Sequence, residues 1–474
     1  MSNTELRRRK VKEHNEKVSG KKRKSKGVQV KSIQTSLICL IISGTLLTAF
    51  LVLYTDQIPW FVGNRIIDNL AKQFLGYHKP VHAVVIDAGS TGSRVLAYTF
   101  HKSYLGGYLV LDKELFEYNK PGLSSFAKEP QKGADKIEVL LEKAKKEIPQ
   151  EYWAKTPLIL KATAGLRLLP AEQAESLLNA IRDLFKKTPF LTDDDSIEIM
   201  DGTDEGIFSW FTVNFLLNKL NSSPSQTVAA LDLGGGSTQV TFSAMTPSSL
   251  RQKENIHEAV SPNGPIPVFT HSYLGLGLMA ARKAVISFQN ADNFNVTCEC
   301  VNPIVRNKKF HYHGNDYYVS GLEKDYPTML VEGGDYYNGE MKPIVDFSKC
   351  SEIIADYVHN ISNTNKPPDE LPLKTIFAFS YYYDKASQAG LIDFAKGGQV
   401  KVDDFKSAAL RTCREPNVDQ PFICMDMTYI WLLLEQGFGL SLDTTIYLYK
   451  KIKGHEISWA LGAAYNVLER SKSV

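Results

Sequence analysis

The sequence predicts an α/β fold organised around two matching half-sites. Three observations lead there. The segments Asp87-Ala88-Gly89-Ser90-Thr91-Gly92-Ser93-Arg94-Val95 and Asp232-Leu233-Gly234-Gly235-Gly236-Ser237-Thr238-Gln239-Val240 resemble copies of one another. Each follows a short apolar run, Ala83 to Ile86 or Val228 to Leu231, and each leads into β-prone residues. From Val81 onward, β-rich runs alternate with amphipathic helical stretches, the pattern of an α/β chain. Each segment therefore reads as strand, glycine turn, strand. Successive backbone N–H groups in such a turn can converge on one oxyanion, and glycines let the backbone come close to it. Two such turns imply half-sites that grip a polyphosphate from both sides of a cleft. An ordinary hairpin is the simpler reading of either turn alone; the shared Asp, Gly and Val positions argue for the pair. Neither turn is a Walker A loop, because no Gly-Lys-Ser/Thr follows. Neither is a dinucleotide fingerprint, because a strand follows where that fold needs a helix.

The elements follow in chain order. Arg7 to Lys31 holds twelve Lys/Arg against Glu13 and Glu16, within a formal net charge of only +3. A basic tail can bind nucleic acid, but the next segment argues for a membrane instead. Ile33 to Tyr54 contains no charged residue. At about 1.5 Å per residue it is long enough for a bilayer core of roughly 30 Å. Basic residues on its N-terminal side predict a cytosolic tail at 1–32, a signal-anchor at 33–54 and a lumenal remainder. The apolar run exceeds a signal-peptide core and shows no clear cleavage site. Residues 55–80 read as a stem, where proteolysis would release the globule. Residues 81–225 are expected to form one α/β lobe and 226–455 a second. The boundary falls in the loop Asn221-Ser222-Ser223-Pro224-Ser225, and a final helix at about 456–470 is expected to pack back on the first lobe. Within these lobes, helices are expected at Asp135 to Ile148 and Ala171 to Lys187, and a buried strand at Pro157 to Ala162. Hydrophobic residues make up 43% of the 474 positions, enough for two or three packed domains.

Five of the six cysteines lie beyond the apolar segment, where oxidising surroundings favour disulfides. Cys413 and Cys424 can close a short loop, and Cys350 can pair with Cys300 or Cys298. Sequons at Asn221, Asn295 and Asn360 fit the same compartment. His311 and His313 are expected on one strand face, with Cys298 and Cys300 equally close together, but neither pair has the spacing of a tetrahedral zinc site.

Three further segments carry candidate chemistry. Gly202-Thr203-Asp204-Glu205-Gly206 precedes an apolar helix, with Thr203 as its expected N-cap. Acidic residues suit that position for the helix alone; the functional reading makes Glu205 a general base that takes a proton from an attacking water. In Lys161-Ala162-Thr163-Ala164-Gly165-Leu166-Arg167, Thr163 can offer a hydroxyl to phosphate or water, and Arg167 can pair with phosphate or with a carboxylate. Phe377 to Tyr383 reads as a strand of alternating aromatics, mostly core, from which a tyrosine can stack on a base.

Together these motifs resemble the apyrase family of nucleoside triphosphate diphosphohydrolases. Its conserved regions match Ile86 to Arg94, Lys161 to Arg167, Gly202 to Gly206, Leu231 to Gln239 and Ser458-Trp459-Ala460-Leu461-Gly462-Ala463, over about Val81 to the C-terminus. The resemblance is strongest to the small lumenal types 5 and 6, through the Tyr-Leu-Gly-Leu-Gly-Leu run at 273–278, the run at 379–384, the single N-terminal span and the few cysteines. It implies two actin-like, ribonuclease-H-like lobes with the nucleotide between them, and hydrolysis of nucleoside diphosphates, with triphosphates cut more weakly. It implies Glu205 as base, with Thr163 and Gln239 placing the water. It implies that Asp87, Asp232 and Trp459 surround Ca²⁺ or Mg²⁺, mostly through bound waters. Gly89, Ser90, Thr91, Gly92, Arg94, Asp232, Gly234, Gly235, Gly236 and Ser237 would bind phosphate, and Tyr383 would contact the nucleotide. It also implies pairing of Cys300 with Cys350 and of Cys413 with Cys424, leaving Cys298 free. The expected protein is a monomeric Golgi or endoplasmic-reticulum enzyme with nucleotide substrates, a membrane partner and no nucleic-acid partner. An exopolyphosphatase, or a nucleotide-binding module that does not hydrolyse, would share the same turns.

Overall fold

The computed structural model describes residues 39–50, 60–77, 79–220, 222–261, 264–288, 293–331, 340–362 and 366–470. The basic tail, both ends of the apolar segment and Asn221 lie outside them. The chain divides into two compact units. The first comprises residues 1–78 together with Ser103–Gly107, and the second comprises the rest. In the first, residues 39–50 are helical, as is Trp60–Leu75. Asp68 accepts hydrogen bonds from the Ser103 hydroxyl (3.1 Å) and the Tyr104 backbone N–H (2.7 Å). Among the described residues, no helix is long and apolar enough to cross a membrane.

The second unit contains two sheets that repeat one plan. The first sheet is made of β1 (Pro80–Ala88), β2 (Ser93–Lys102), β3 (Leu109–Asn119), β4 (Leu158–Ala162) and β5 (Ile197–Ile199), in the order β3-β2-β1-β4-β5. The second opens with β6 (Ala229–Leu233), β7 (Ser237–Ser243), β8 (Ile256–Ala259) and β9 (Ile266–Leu274). Five short strands follow, β10 (Asn295–Thr297), β11 (Lys308–Tyr312), β12 (Asn315–Ser320), β13 (Thr328–Val331) and β14 (Glu340–Pro343). They form two small separate sheets. β15 (Ile376–Ser380), β16 (Gly398–Lys401) and β17 (Thr445–Leu448) complete the second large sheet, ordered β16-β17-β15-β6-β7-β9-β8. In each large sheet an antiparallel hairpin, β1–β2 or β6–β7, is followed by two parallel strands, β4 and β5 or β15 and β17. The register is duplicated too: Asp87 pairs with Arg94, and Asp232 pairs with Gln239.

The unbroken apolar runs of β1 and β6 follow from burial on both faces. Val84 and Ile86 pack under the helices Pro130–Glu147 and Ala171–Phe185, while Ala83 and Val85 face the opposite way. In β6, Leu231 and Leu233 join the large core of the second sheet, and Ala230 faces back. Ala83, Val85 and Ala230 share a single cluster with Trp210, Val213, Ala460 and Ala464. The helices Gly202–Leu216 and Trp459–Arg470 therefore lie between the sheets. The last helix of the chain rests on β1, far away in sequence. The two helices touch where Gly462 leaves no room: a Cβ there would lie 2.5 Å from the Phe208 carbonyl oxygen.

Several expected boundaries shift. The helix expected from Asp135 begins at Pro130, the one expected to end at Lys187 stops at Phe185, and the last helix starts at Trp459. Asp201, not Thr203, caps Gly202–Leu216; its carboxylate accepts the Thr203 N–H at 2.7 Å. The aromatic run is not one strand. It turns at Ser380 (φ 57°, ψ −127°), and Tyr381–Gln388 is a helix. Alternation misled because Phe377 and Phe379 face the inter-sheet core while Tyr382 and Tyr383 enter the core of the second sheet. His311 lies on β11, but His313 occupies the following turn at φ 49°, so they do not share a strand face.

Candidate active site

The two glycine turns are built alike. The Gly89 N–H bonds the Gly92 carbonyl at 3.1 Å, and the Gly234 N–H bonds the Ser237 carbonyl at 2.9 Å. They also meet: a Cβ on Gly235 would lie 2.2 Å from Ser90 Oγ and 3.4 Å from Thr91. Ser90 is pressed from a third side by Gly165, whose absent Cβ would fall 2.8 Å from the Ser90 Cα. Gly236 packs similarly on Ala164. The turn holding Ser90 and Thr91 thus meets the turn holding Gly235.

Three buried carboxylates stand behind the turns, at Asp87, Asp232 and Glu205. Arg94 donates to Asp87 at 3.0 Å, so the sequence-expected phosphate ligand is engaged with the adjacent acid. The Asp87 Oδ1 is buried without a partner among the described residues. Asp232 accepts from Ser209 at 3.1 Å and from the Ser380 side chain. Burial pushes the pKa of both aspartates up; Arg94 offsets it at Asp87, and the two hydroxyls offset it at Asp232.

Glu205 sits in the first turn of Gly202–Leu216. Arg167 forms an ion pair with its Oε2. Gln239 Nε2 donates to the same oxygen at 3.1 Å and reaches the Ser237 and Ser272 hydroxyl oxygens, each at 2.9 Å. The Gln239 Oε1 is buried and has no partner among the described residues. Burial pushes the Glu205 pKa up to about 8, Arg167 pulls it down, and Asp232 and Asp87 add to the rise. A base must be ionised to accept a proton. With Glu205 as that base, as the sequence leads us to expect, phosphate release falls as pH drops through this range. Positive charge bound near the three acids favours the carboxylate, so the midpoint of the acid limb is expected to rise as divalent cation is lowered. A pH–rate profile at two cation concentrations checks this.

Thr163 is buried at the end of β4, and its hydroxyl is not spent on capping the short helix Ala164–Arg167. Trp459 is buried at the start of the last helix, in the inter-sheet cluster. The Tyr383 side chain is buried. It is 2% exposed and its hydroxyl donates to the Phe394 carbonyl, so its ring belongs to the core. The tyrosine at the turns is Tyr381, whose hydroxyl lies 3.4 Å from Thr91 Oγ1. Sequence reading also missed Ser209, Ser272 and Ser380. Ser209 had a usable signal, because it follows Glu205 by four positions on one helix face. Ser272 had none, since only the β7–β9 register places it opposite Gln239.

Among the described residues, no group of three or more His, Cys, Asp or Glu side chains gathers closely enough to hold a bare ion. The donors here are nonetheless all oxygen, and two buried acceptors, Asp87 Oδ1 and Gln239 Oε1, are unmatched among the described residues. That set fits a hard cation held largely through its own waters. Away from the site, Cys300 is joined to Cys350 and Cys413 to Cys424, and Cys298 is free and buried. Asn295 and Asn360 are exposed.

The description of the GDA1/CD39 (nucleoside phosphatase) family matches residues 78–473. Ectonucleoside triphosphate diphosphohydrolase 5 of Ailuropoda melanoleuca is 38% identical over 435 residues, covering 88% of this chain and 94% of that protein. The Homo sapiens nucleoside diphosphate phosphatase ENTPD5 is 38% identical over 398 residues, covering 82% and 88%. Ectonucleoside triphosphate diphosphohydrolase 6 of Rattus norvegicus is 39% identical over 404 residues, covering 83% of each. Among solved structures, a nucleoside triphosphate hydrolase from Neospora caninum aligns with TM-score 0.54 at 14% identity, over 87% of this chain and 97% of that one. At that identity the likeness shows a shared fold.

Proposed function

Because the chain belongs to the GDA1/CD39 (nucleoside phosphatase) family, we propose that it hydrolyses nucleoside diphosphates such as UDP and GDP to monophosphate and phosphate, with triphosphates as weaker substrates. The observation that carries this reading is the position of Glu205. Its carboxylate is fixed by Gln239 and Arg167 directly behind two converging phosphate-type turns. Diphosphate preference is supported by the Homo sapiens relative, which is named a nucleoside diphosphate phosphatase.

Phosphoryl transfer asks a protein mainly for positioning and charge neutralisation. The N–H groups of the two turns hold the phosphate chain from both sides. Gln239, itself oriented by Ser237 and Ser272, holds the attacking water with Thr163, and the Glu205 carboxylate takes its proton. Arg167 keeps that carboxylate oriented and favours its ionised form. Asp87 and Asp232 would hold Ca²⁺ or Mg²⁺ through waters, with Trp459 walling the site. The cation would neutralise phosphate oxygens that otherwise repel both water and carboxylate.

The same reading takes 81–225 and 226–455 as two lobes around the site, with 33–54 as a type II signal-anchor placing them in the Golgi or endoplasmic-reticulum lumen. The two disulfides and the exposed sequon asparagines support an oxidising compartment. A phosphate-release panel over UDP, GDP, ADP, ATP and polyphosphate, with and without chelator, tests the activity. Fast, chelator-sensitive release from UDP and GDP is expected. Release from polyphosphate but not from UDP would overturn the reading.

A further inference from the structure

The candidate active site uses only the Asp87 end of β1. About seven residues back, roughly 20 Å along the strand, β1 borders a cavity of about 330 Å³. His82, Lys102, Leu109, Tyr152, Lys155 and Leu468 contribute to its wall. That volume lies at the lower end of small-molecule sites.

His82 makes the cavity unusual. The residue is 6% exposed, and its Nδ1 lies 3.1 Å from Thr99 Oγ1. Its Nε2 is buried with no partner among the described residues. The Tyr152 ring centre stands 4.9 Å from the imidazole. Burial holds the imidazole below its usual pKa, against the pull of Glu147 and Glu151, so the ring is neutral near pH 7. In the tautomer whose Nδ1 accepts from the threonine hydroxyl, Nε2 carries the proton and offers an unused donor. A buried polar atom without a partner is costly and calls for explanation. Charge points the same way. Lys102 and Lys155 bring two cations to the wall. Of the nearby acids, Glu147 is already paired with Lys113 at 2.6 Å, and Glu151 is exposed on the Gln150–Lys155 turn.

We propose that this cavity is a second, non-catalytic site for a small organic anion. Its charged group would meet Lys102, Lys155 and the His82 Nε2–H, and its apolar or planar body would lie against Tyr152, Leu109 and Leu468. No residue of the candidate active site takes part, so the two sites can be tested separately.

Thermal unfolding of the full chain, titrated with benzoate at constant ionic strength against chloride, reads the site out, with inorganic phosphate as the second probe. Benzoate is expected to raise Tm saturably. A Lys102→Glu/Lys155→Glu variant is expected to need at least ~10-fold more benzoate for the same rise, with phosphate release from UDP unchanged. Lys155→Gln alone, an exposed change, is expected to weaken the response part of the way. A non-saturating benzoate response, or one equal in the double variant, would overturn the site. A lysine-dependent response to phosphate as large as that to benzoate would overturn the apolar body.

Discussion

Glu205→Gln is expected to release phosphate from UDP at least ~10²-fold more slowly than the parent, the usual scale for loss of a general base. The substitution keeps the size of the side chain and an acceptor for Gln239, but removes the ionisable carboxylate proposed to take the proton. It also lifts one negative charge from beside Asp87 and Asp232, where burial already disfavours ionisation. Arg167 loses its anion, so some stability is lost, but protection of the variant by nucleotide, read against its own ligand-free Tm, should persist. Steady-state phosphate release and ligand-dependent Tm, measured on the same sample, separate chemistry from binding. Turnover equal to the parent would remove Glu205 from the role of base.

Asp426→Asn is expected to cost about 3–5 kcal/mol of stability, the usual penalty for breaking a buried ion pair from one side. Asp426 is fully buried. Arg282 approaches it in bidentate fashion, with Nε 2.6 Å from Oδ1, and Lys385 Nζ lies 3.1 Å from Oδ2. Burial opposes the charge, but the two cations outweigh it and hold the carboxyl below its usual range. Asparagine would leave both cations buried without an anion. Denaturant unfolding should show a lower midpoint at an unchanged slope. A triple variant, Asp426→Leu with Arg282→Met and Lys385→Met, is expected to recover much of the loss, because apolar replacement of a whole buried ion group is often neutral or stabilising. Lys385 belongs to the helix that opens with Tyr381, so loss of the triad also loosens the support behind a residue at the turns.

The duplicated turns were legible because their information is local. Asp87 to Arg94 and Asp232 to Gln239 are the same distance apart, and that spacing survives as paired register in both hairpins. The buried strands were legible for a similar reason, since an apolar run flanked by turn residues has few alternatives. Features set by distant partners were not legible. Arg282 meets Asp426 across 144 positions, and Ser272 reaches Gln239 only through strand order. Ser380 failed differently. Nothing in Phe-Ser-Tyr-Tyr-Tyr announces a left-handed turn, a conformation that costs a non-glycine residue of order 1–3 kcal/mol and persists here beside Asp232. Thr203 was mistaken for the cap because Asp201, two positions earlier, makes the same kind of bond.

The seat of the final helix on β1 sets a timetable for biosynthesis. Ala83 and Val85 leave the ribosome early, yet the surface that covers them is supplied by Ala460 and Ala464. At roughly 5–20 residues per second, that cover arrives tens of seconds later. Until then the nascent chain presents an uncovered oily surface, so truncations shortly before Trp459 should accumulate on chaperones as full-length chains do not.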